Sequence, residues 1–306
     1  MKPDMLHVIT CISNPVGYKS RINLYRQFEK HMLESNVKLT TVECAYGERP
    51  FELPATEGVN HVKVRSSNVI WNKENLLNIA LSRLPQDWKY VAWIDADVIF
   101  RNKNWASETV HALQLFDIVQ PWADCYDLGP NDEHLTAHES FAKIFHQGRP
   151  IFAGKCDPYA YPHTGYAWAA TRRAIDLLGG LMEMAVSGSG DHHMAFSLLG
   201  RANETLPHNL HPNYEDQVYL WQERAVRHIG ENIGYVHGTI EHLWHGPKQK
   251  RGYMSRWDIL INHQLDPIRD VKKNSYGVLE LSCNKPKLRQ DIDRYFRSRD
   301  EDSTSI

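Results

Sequence analysis

Lys89-Tyr90-Val91-Ala92-Trp93-Ile94-Asp95-Ala96-Asp97-Val98-Ile99-Phe100 is the stretch around which this chain is organised. It begins as a short apolar run, the pattern of a buried strand. It then sets two carboxylates two residues apart and returns to apolar residues. Alternate side chains of a strand share a face, so Asp95 and Asp97 are expected to project together at the strand end. Adjacent carboxylates repel and are relieved by a divalent cation, by strong hydrogen-bond donors or by a shared proton. Mg2+ and Mn2+ take oxygen ligands and commonly bind one or two carboxylates together with substrate phosphates. An Asp-bearing turn at a strand end is the plain alternative. The rest of the chain decides between them.

The residues before this stretch predict a sheet. Leu6 to Ser13 reads as a first strand, followed by the turn Asn14-Pro15-Val16-Gly17. Leu24, Phe28 and Met32 then recur at helical spacing. Val37 to Cys44 and His61 to Arg65 read as strands, and Asn75 to Leu84 as a helix with Leu76, Leu77, Ala80 and Leu81 inward. The order β-α-β-β-α-β predicts an α/β fold with a mostly parallel sheet. Ligands of such sheets bind outside the carboxyl ends of the strands. Asn14, Glu43 and the Asp pair all fall at such ends.

Further on, Glu133 to His146 reads as a helix, and Gly148 to His163 as a long Pro/Gly/aromatic loop. Gly165 to Ala170 reads as a strand. Thr171 is placed to cap the helix Arg172 to Leu178, and Gly179-Gly180 to end it. Gly188-Ser189-Gly190-Asp191 opens another helix. Tyr214 to Gly230 and Tyr253 to His263 are helical, with short strands between Gly234 and Trp244. Glu301 to Ile306 reads as a disordered tail.

With 306 residues the chain can bury a large core, and its net charge of −2 gives no global attraction to nucleic acid or an anionic membrane. The five cysteines are scattered and form no Cys-x-x-Cys pair, which fits a reducing compartment and argues against a zinc ribbon. No stretch is long and apolar enough to span a bilayer, and the first residues lack a signal-peptide pattern. A cytoplasmic location is expected, with no membrane partner. The composition is silent on oligomeric state.

Four constellations bear on chemistry. The Asp95/Asp97 pair is the first. Asp191 behind Gly188-Ser189-Gly190 is the second, and reads either as an Asp stabilised at a helix N-terminus or as a general base. His192 and His193 are adjacent and do not share a helix face. The third is His242-x-x-His245, because imidazole can complete a metal site that carboxylates begin. The fourth is the loop Lys248-Gln249-Lys250-Arg251-Gly252-Tyr253 with Arg256. It reads either as a solvated basic loop or as a binder of phosphate oxygens. No Walker A or Gly-x-Gly-x-x-Gly sequence is present. Jointly the four suit a metal-bound nucleoside diphosphate leaving group.

At these residues the chain resembles the GT-A-fold glycosyltransferases, over most of its length from Ile9 to about Asp266. Asp95-Ala96-Asp97 resembles their DxD motif. The resemblance implies a single domain over 1–265, with a donor-binding half over about 1–122 and an acceptor half over about 123–265. A helical extension over 266–306 follows. It implies Mn2+ or Mg2+ as cofactor, ligated by Asp97 and His245 with Asp95 beside them. It implies a nucleoside-diphosphate sugar, UDP-sugars favoured, as donor. Thr10, Ile12 and Asn14 would face the nucleotide, with Glu43, Arg65, Lys73 and Asn78 around it and Lys248, Arg251 and Arg256 on the diphosphate. Asp191 would be the catalytic base of an inverting transfer. Tyr166, Trp168 and His192 would form the acceptor floor. More narrowly, Tyr46-Gly47-Glu48-Arg49-Pro50-Phe51, His163 to Ala170 and Asp191-His192-His193-Met194-Ala195 resemble a bacterial and bacteriophage group of such enzymes. That makes a hydroxymethylated DNA base one expected acceptor and a saccharide the other. The base position departs from the family, with Gly190-Asp191 in place of its common Glu-Asp pair.

A nucleotidyltransferase also uses paired carboxylates on a parallel sheet, but its triphosphate loop is Gly-rich. Here Asn14-Pro15-Val16-Gly17 has one glycine. A non-catalytic sugar or nucleic-acid binder is the remaining class.

Overall fold

The computed structural model describes residues 4–154, 162–282 and 284–306. The first elements are β1 (Leu6–Ser13), α1 (Lys19–Glu34), β2 (Lys38–Tyr46), β3 (Val59–Ser66), α2 (Lys73–Leu81), β4 (Tyr90–Ile94), β5 (Val98–Phe100) and α3 (Trp105–Ala112). There follow β6 (Ile118–Gln120), β7 (Asp124–Leu128), β8 (His134–Glu139), α4 (Phe141–His146), β9 (Ala167–Thr171), α5 (Arg172–Leu178) and α6 (Gly190–Leu198). The last are α7 (Pro212–His228), β10 (Ile233–Tyr235), β11 (Thr239–His242), α8 (Arg256–His263), β12 (Val271–Lys273), β13 (Leu279–Leu281) and α9 (Pro286–Ser298).

The central sheet has seven strands in the order β10-β6-β9-β4-β1-β2-β3. It is parallel except for β9, which runs antiparallel to both β4 and β6. This is the mixed α/β architecture expected from the first hundred residues. The sheet is apolar on both faces, as helix-covered parallel sheets are. Ile9, Val42 and Val91 belong to one core and Val8, Leu39 and Ala92 to the other. Leu24, Phe28 and Met32 of α1 are buried as their spacing predicts. Thr171 Oγ1 accepts from Ala174 N–H, and Gly179 closes α5 in the left-handed region.

A second, four-stranded sheet, β5-β11-β7-β8, stands beside the first. It overturns part of the helix expected over Glu133 to His146. Residues of β8 pair antiparallel with β7, Tyr126 facing Ala137, and only Phe141–His146 is helical. Ser140 separates the two, its hydroxyl accepting from Lys143 N–H. Ladder pairing outweighs a weak helical pattern in a polar segment.

The expected disordered tail is corrected as well. Glu301 is 2% exposed. It accepts from Arg21 Nη2 at 2.7 Å and from Arg299 Nε at 2.6 Å. The Asp302 carboxylate accepts from the free Lys19 and Ser20 N–H groups at the start of α1, a use of helix-end donors that needs an anion. Gly246 lies under this tail with φ +85°, and a Cβ there would stand 2.7 Å from the Asp300 carbonyl oxygen. Part of the 148–163 loop, from Lys155 to Tyr161, lies outside the described residues, as do Cys156 and Cys283. Among the described residues no helix is long and apolar enough to cross a membrane.

Candidate active site

A cavity of about 470 Å3 opens where β1 and β4 end. The start of α2, the start of α6, the segment from His242 to Trp257 and the C-terminal tail wall it in.

The two aspartates do not act as one pair. Asp95 N–H donates to the Tyr166 carbonyl, which keeps the chain beside β9, and the Asp95 carboxylate forms an ion pair with Lys73. Burial pushes its carboxyl up, and repulsion from Asp97 adds to this against the pull of Lys73. Asp97 turns the other way. Its carbonyl accepts from Leu243 N–H, and β11 pairs with β5 so that His242 faces Val98. That register delivers two imidazoles. Asp97 Oδ2 lies 3.1 Å from His245 Nε2 and 3.8 Å from His242 Nε2.

The ligand atoms of Asp97, His242 and His245 all lie within 4.8 Å of one another. His242 Nδ1 is 2.8 Å from an Asp127 carboxylate oxygen, which can only accept. His245 Nε2 faces Arg251 Nη2 at 3.0 Å, which can only donate. Burial and the Arg251 charge hold His245 well below the usual imidazole range. The His242 and His245 Nε2 atoms lie 3.2 Å apart. Asp97 Oδ1 is also buried with no hydrogen-bond partner among the described residues. The three side chains converge as a group that could hold a metal ion. Asp95, expected beside the metal, is ion-paired with Lys73, and the cluster with Asp97 and His245 is completed by His242.

Asp191 enters from the opposite wall, in the first turn of α6. Its Oδ1 accepts from His192 N–H at 2.9 Å. Its Oδ2 would lie 2.8 Å from a Cβ at Gly165, so the carboxylate reaches this position because residue 165 has no side chain. Arg256 donates to Ser189 Oγ at the helix start. His192 also lines the cavity, its imidazole pushed down to about 4 by burial. His193 belongs to the core, bonded to Thr205 and Tyr214.

Among the expected donor contacts, Thr10, Ile12, Lys73, Asp95, Lys248, Arg251 and Arg256 line the cavity. Asn14, Glu43, Arg65 and Asn78 lie outside its lining, and each is committed to local backbone. Asn14 Oδ1 accepts from Gly17 and Tyr18 N–H. Glu43 Oε1 accepts from Glu52 and Leu53 N–H. Arg65 donates to the Gly47 and Arg49 carbonyls, and Asn78 is bonded to both the N–H and the carbonyl of Leu181. Of the expected acceptor floor, Tyr166 lines the cavity and stacks on His163 at 3.9 Å. Trp168 does not. It is core, packed on Phe141 with Nε1 bonded to the Thr164 carbonyl.

Sequence reading did not single out Arg21, Arg299 and Glu301, which line the cavity, or Asp127, which meets His242; Glu74 and His163 were named only within the stretches Trp71 to Asn78 and Gly148 to His163. Glu74 is 4% exposed, and its carboxyl fills the space beside Gly190, where a Cβ would stand 2.6 Å from Cδ. Burial, with Asp191 adding to it against Lys73, raises this carboxyl from 4.5 to about 7. Below pH 4.5 the group is neutral folded and unfolded. Between 4.5 and 7 the unfolded chain releases the proton that the folded one keeps. Stability from the neutral form is therefore complete below 4.5 and is lost as pH rises through 7. Glu74→Gln should raise stability at pH 8, by about 3 kcal/mol at most, and the gain should vanish near pH 4.5. Urea unfolding at the two pH values checks this, and an equal effect at both would refute it.

No protein-family model matches the chain, and no curated protein is similar to it. Solved structures of similar shape include the catalytic domain of Drosophila beta1,4-galactosyltransferase 7 in complex with xylobiose. It is 11% identical, the match covers 93% of this chain and 97% of that one, and the TM-score is 0.41. Staphylococcus aureus TarS 1–349 in complex with UDP-GlcNAc is 9% identical over 96% and 72%, with a TM-score of 0.42. Glucosyl-3-phosphoglycerate synthase from Mycobacterium tuberculosis, in complex with Mg2+ and UDP, is 12% identical over 83% and 76%, with a TM-score of 0.39. These likenesses are remote, and the chemistry below rests on the side chains of this chain.

Proposed function

We propose that this chain is a metal-dependent, inverting glycosyltransferase of the GT-A kind. Its donor is a nucleoside-diphosphate sugar and its acceptor a hydroxyl group. One observation carries the reading: the Asp97/His242/His245 cluster and the Asp191 carboxylate line the same cavity. Asp97, His242 and His245 would hold the cation. Two imidazoles beside one carboxylate favour Mn2+ over Mg2+, which demands oxygen ligands. The bound ion would neutralise charge developing on the leaving diphosphate.

The rest falls to the protein. Lys248, Arg251 and Arg256 are fixed around the cavity, where they bind phosphate oxygens. Lys73 is held against Asp95 at the strand end. Asp191 takes the proton from the acceptor hydroxyl as its oxygen bonds to the anomeric carbon. The bond from that carbon to the phosphate oxygen breaks, and the nucleoside diphosphate leaves with the electron pair.

The test is nucleotide release from UDP-, GDP-, dTDP- and CMP-sugars with Mn2+ or Mg2+, without acceptor and then with oligosaccharide or hydroxymethylated DNA. Release from at least one donor, greater with Mn2+ and absent after chelation, is expected. Failure of every donor to bind or turn over would sink the reading. Mass spectrometry of the acceptors separates a saccharide from a DNA base.

A further inference from the structure

Asp127 is a buried carboxylate, 2% exposed, that the reaction above does not use. It stands at the end of β7, and the parallel pairing of β7 with β11 places it directly beside His242. Hydrogen-bond donors converge on both of its oxygens. Tyr166 OH donates to Oδ1 at 2.7 Å, and His242 Nδ1 meets the same oxygen at 2.8 Å. His138 Nε2 lies 2.5 Å from Oδ2, which Lys248 Nζ also reaches.

We propose that Asp127 is a positioning residue for the cation site: by accepting from His242 Nδ1–H it leaves the Nε2 lone pair facing Asp97 and His245, and it docks Lys248 beside them. The inference rests on the metal reading given above. A carboxylate oxygen only accepts, so the 2.8 Å contact with Asp127 Oδ1 sets a hydrogen on His242 Nδ1. Carboxylate partners of metal-bound imidazoles orient the ring and raise its basicity. The other oxygen of the same carboxylate holds an ammonium that comes from the basic loop. One side chain thus ties the ligand set to the phosphate-binding cations.

Asp127→Asn keeps the volume but offers an amide N–H to His242, which favours moving the ring proton to Nε2. Two measurements on the full chain test the proposal without any sugar donor. Mn2+ titration by calorimetry should show affinity weakened by about 10- to 100-fold, with the far-ultraviolet circular dichroism unchanged. Nitrogen-15 shifts of His242, assigned against His242→Gln, should show Nδ1 protonated in the metal-free wild type and Nε2 protonated in the variant. Equal Mn2+ affinity in wild type and Asp127→Asn would overturn the positioning role and leave the metal reading standing. A wild type that binds no Mn2+ would overturn the metal reading instead. If Asp127→Asn does not fold, the wild-type tautomer still decides, since Nε2–H there contradicts the proposal.

Discussion

Asp191→Asn should cost about 100- to 10,000-fold in turnover and leave donor and Mn2+ binding within reach of the wild type. Asn keeps the shape and the oxygen that accepts from His192 N–H, so α6 retains its first turn. What it loses is basicity. The Asp191 carboxylate sits in the first turn of α6. It is brought into the cavity by the bare backbone of Gly165. The cation cluster and the basic side chains are untouched, so calorimetry with donor and Mn2+ should read as before while single-turnover transfer collapses. Unchanged turnover would remove Asp191 from the base role. The anomeric configuration of the product gives an independent check, because direct displacement inverts it and a retained configuration would contradict the scheme.

The fold was legible because its signals are local. Apolar runs and helical spacing placed the strands and helices up to β4, and the turn chemistry of Thr171 and Gly179 placed α5. The site was legible only where a motif carries its own geometry. Asp97 and His245 were singled out because a DxD and a late His resemble a known pattern, and the structure brings them within 3.1 Å of each other. Their division of labour could not. Asp95 faces Lys73 because α2 begins beside the end of β4, a contact across 22 residues of sequence. Asp127 and Glu301 had no signal at all. One is an inward residue of a short strand, visible only through the pairing of β7 with β11. The other is a glutamate five residues from the chain end whose partners, Arg21 and Arg299, include one 280 residues away. Polar composition at a terminus predicts disorder only when nothing buried waits to pair with it. Asn14, Glu43, Arg65 and Asn78 lie outside the cavity lining for the converse reason. Polar residues at strand and helix ends are often consumed by the backbone around them.

Asp97→Asn and Asp95→Asn should separate cleanly, although the two residues sit in one motif. Asp97→Asn removes the only carboxylate of the cluster, so Mn2+ affinity should fall more than about 100-fold, beyond what a supporting residue costs, and turnover should fall with it. The Leu243 N–H to Asp97 carbonyl bond belongs to the backbone and survives, so the histidine loop stays in place and the loss is one of ligation. Asp95→Asn leaves the three ligand atoms intact and should bind Mn2+ nearly as the wild type does. Its damage should appear elsewhere. Lys73 loses the counterion of a half-buried ion pair, and breaking such a pair from one side leaves a charge less well compensated. The melting temperature and the donor affinity should both drop. Manganese titration followed by electron paramagnetic resonance, run beside thermal unfolding, reads the two effects separately. If Asp95→Asn loses Mn2+ as completely as Asp97→Asn, both aspartates ligate the ion and the split between them is wrong. If Asp97→Asn keeps it, the cluster with His242 and His245 is not the metal site.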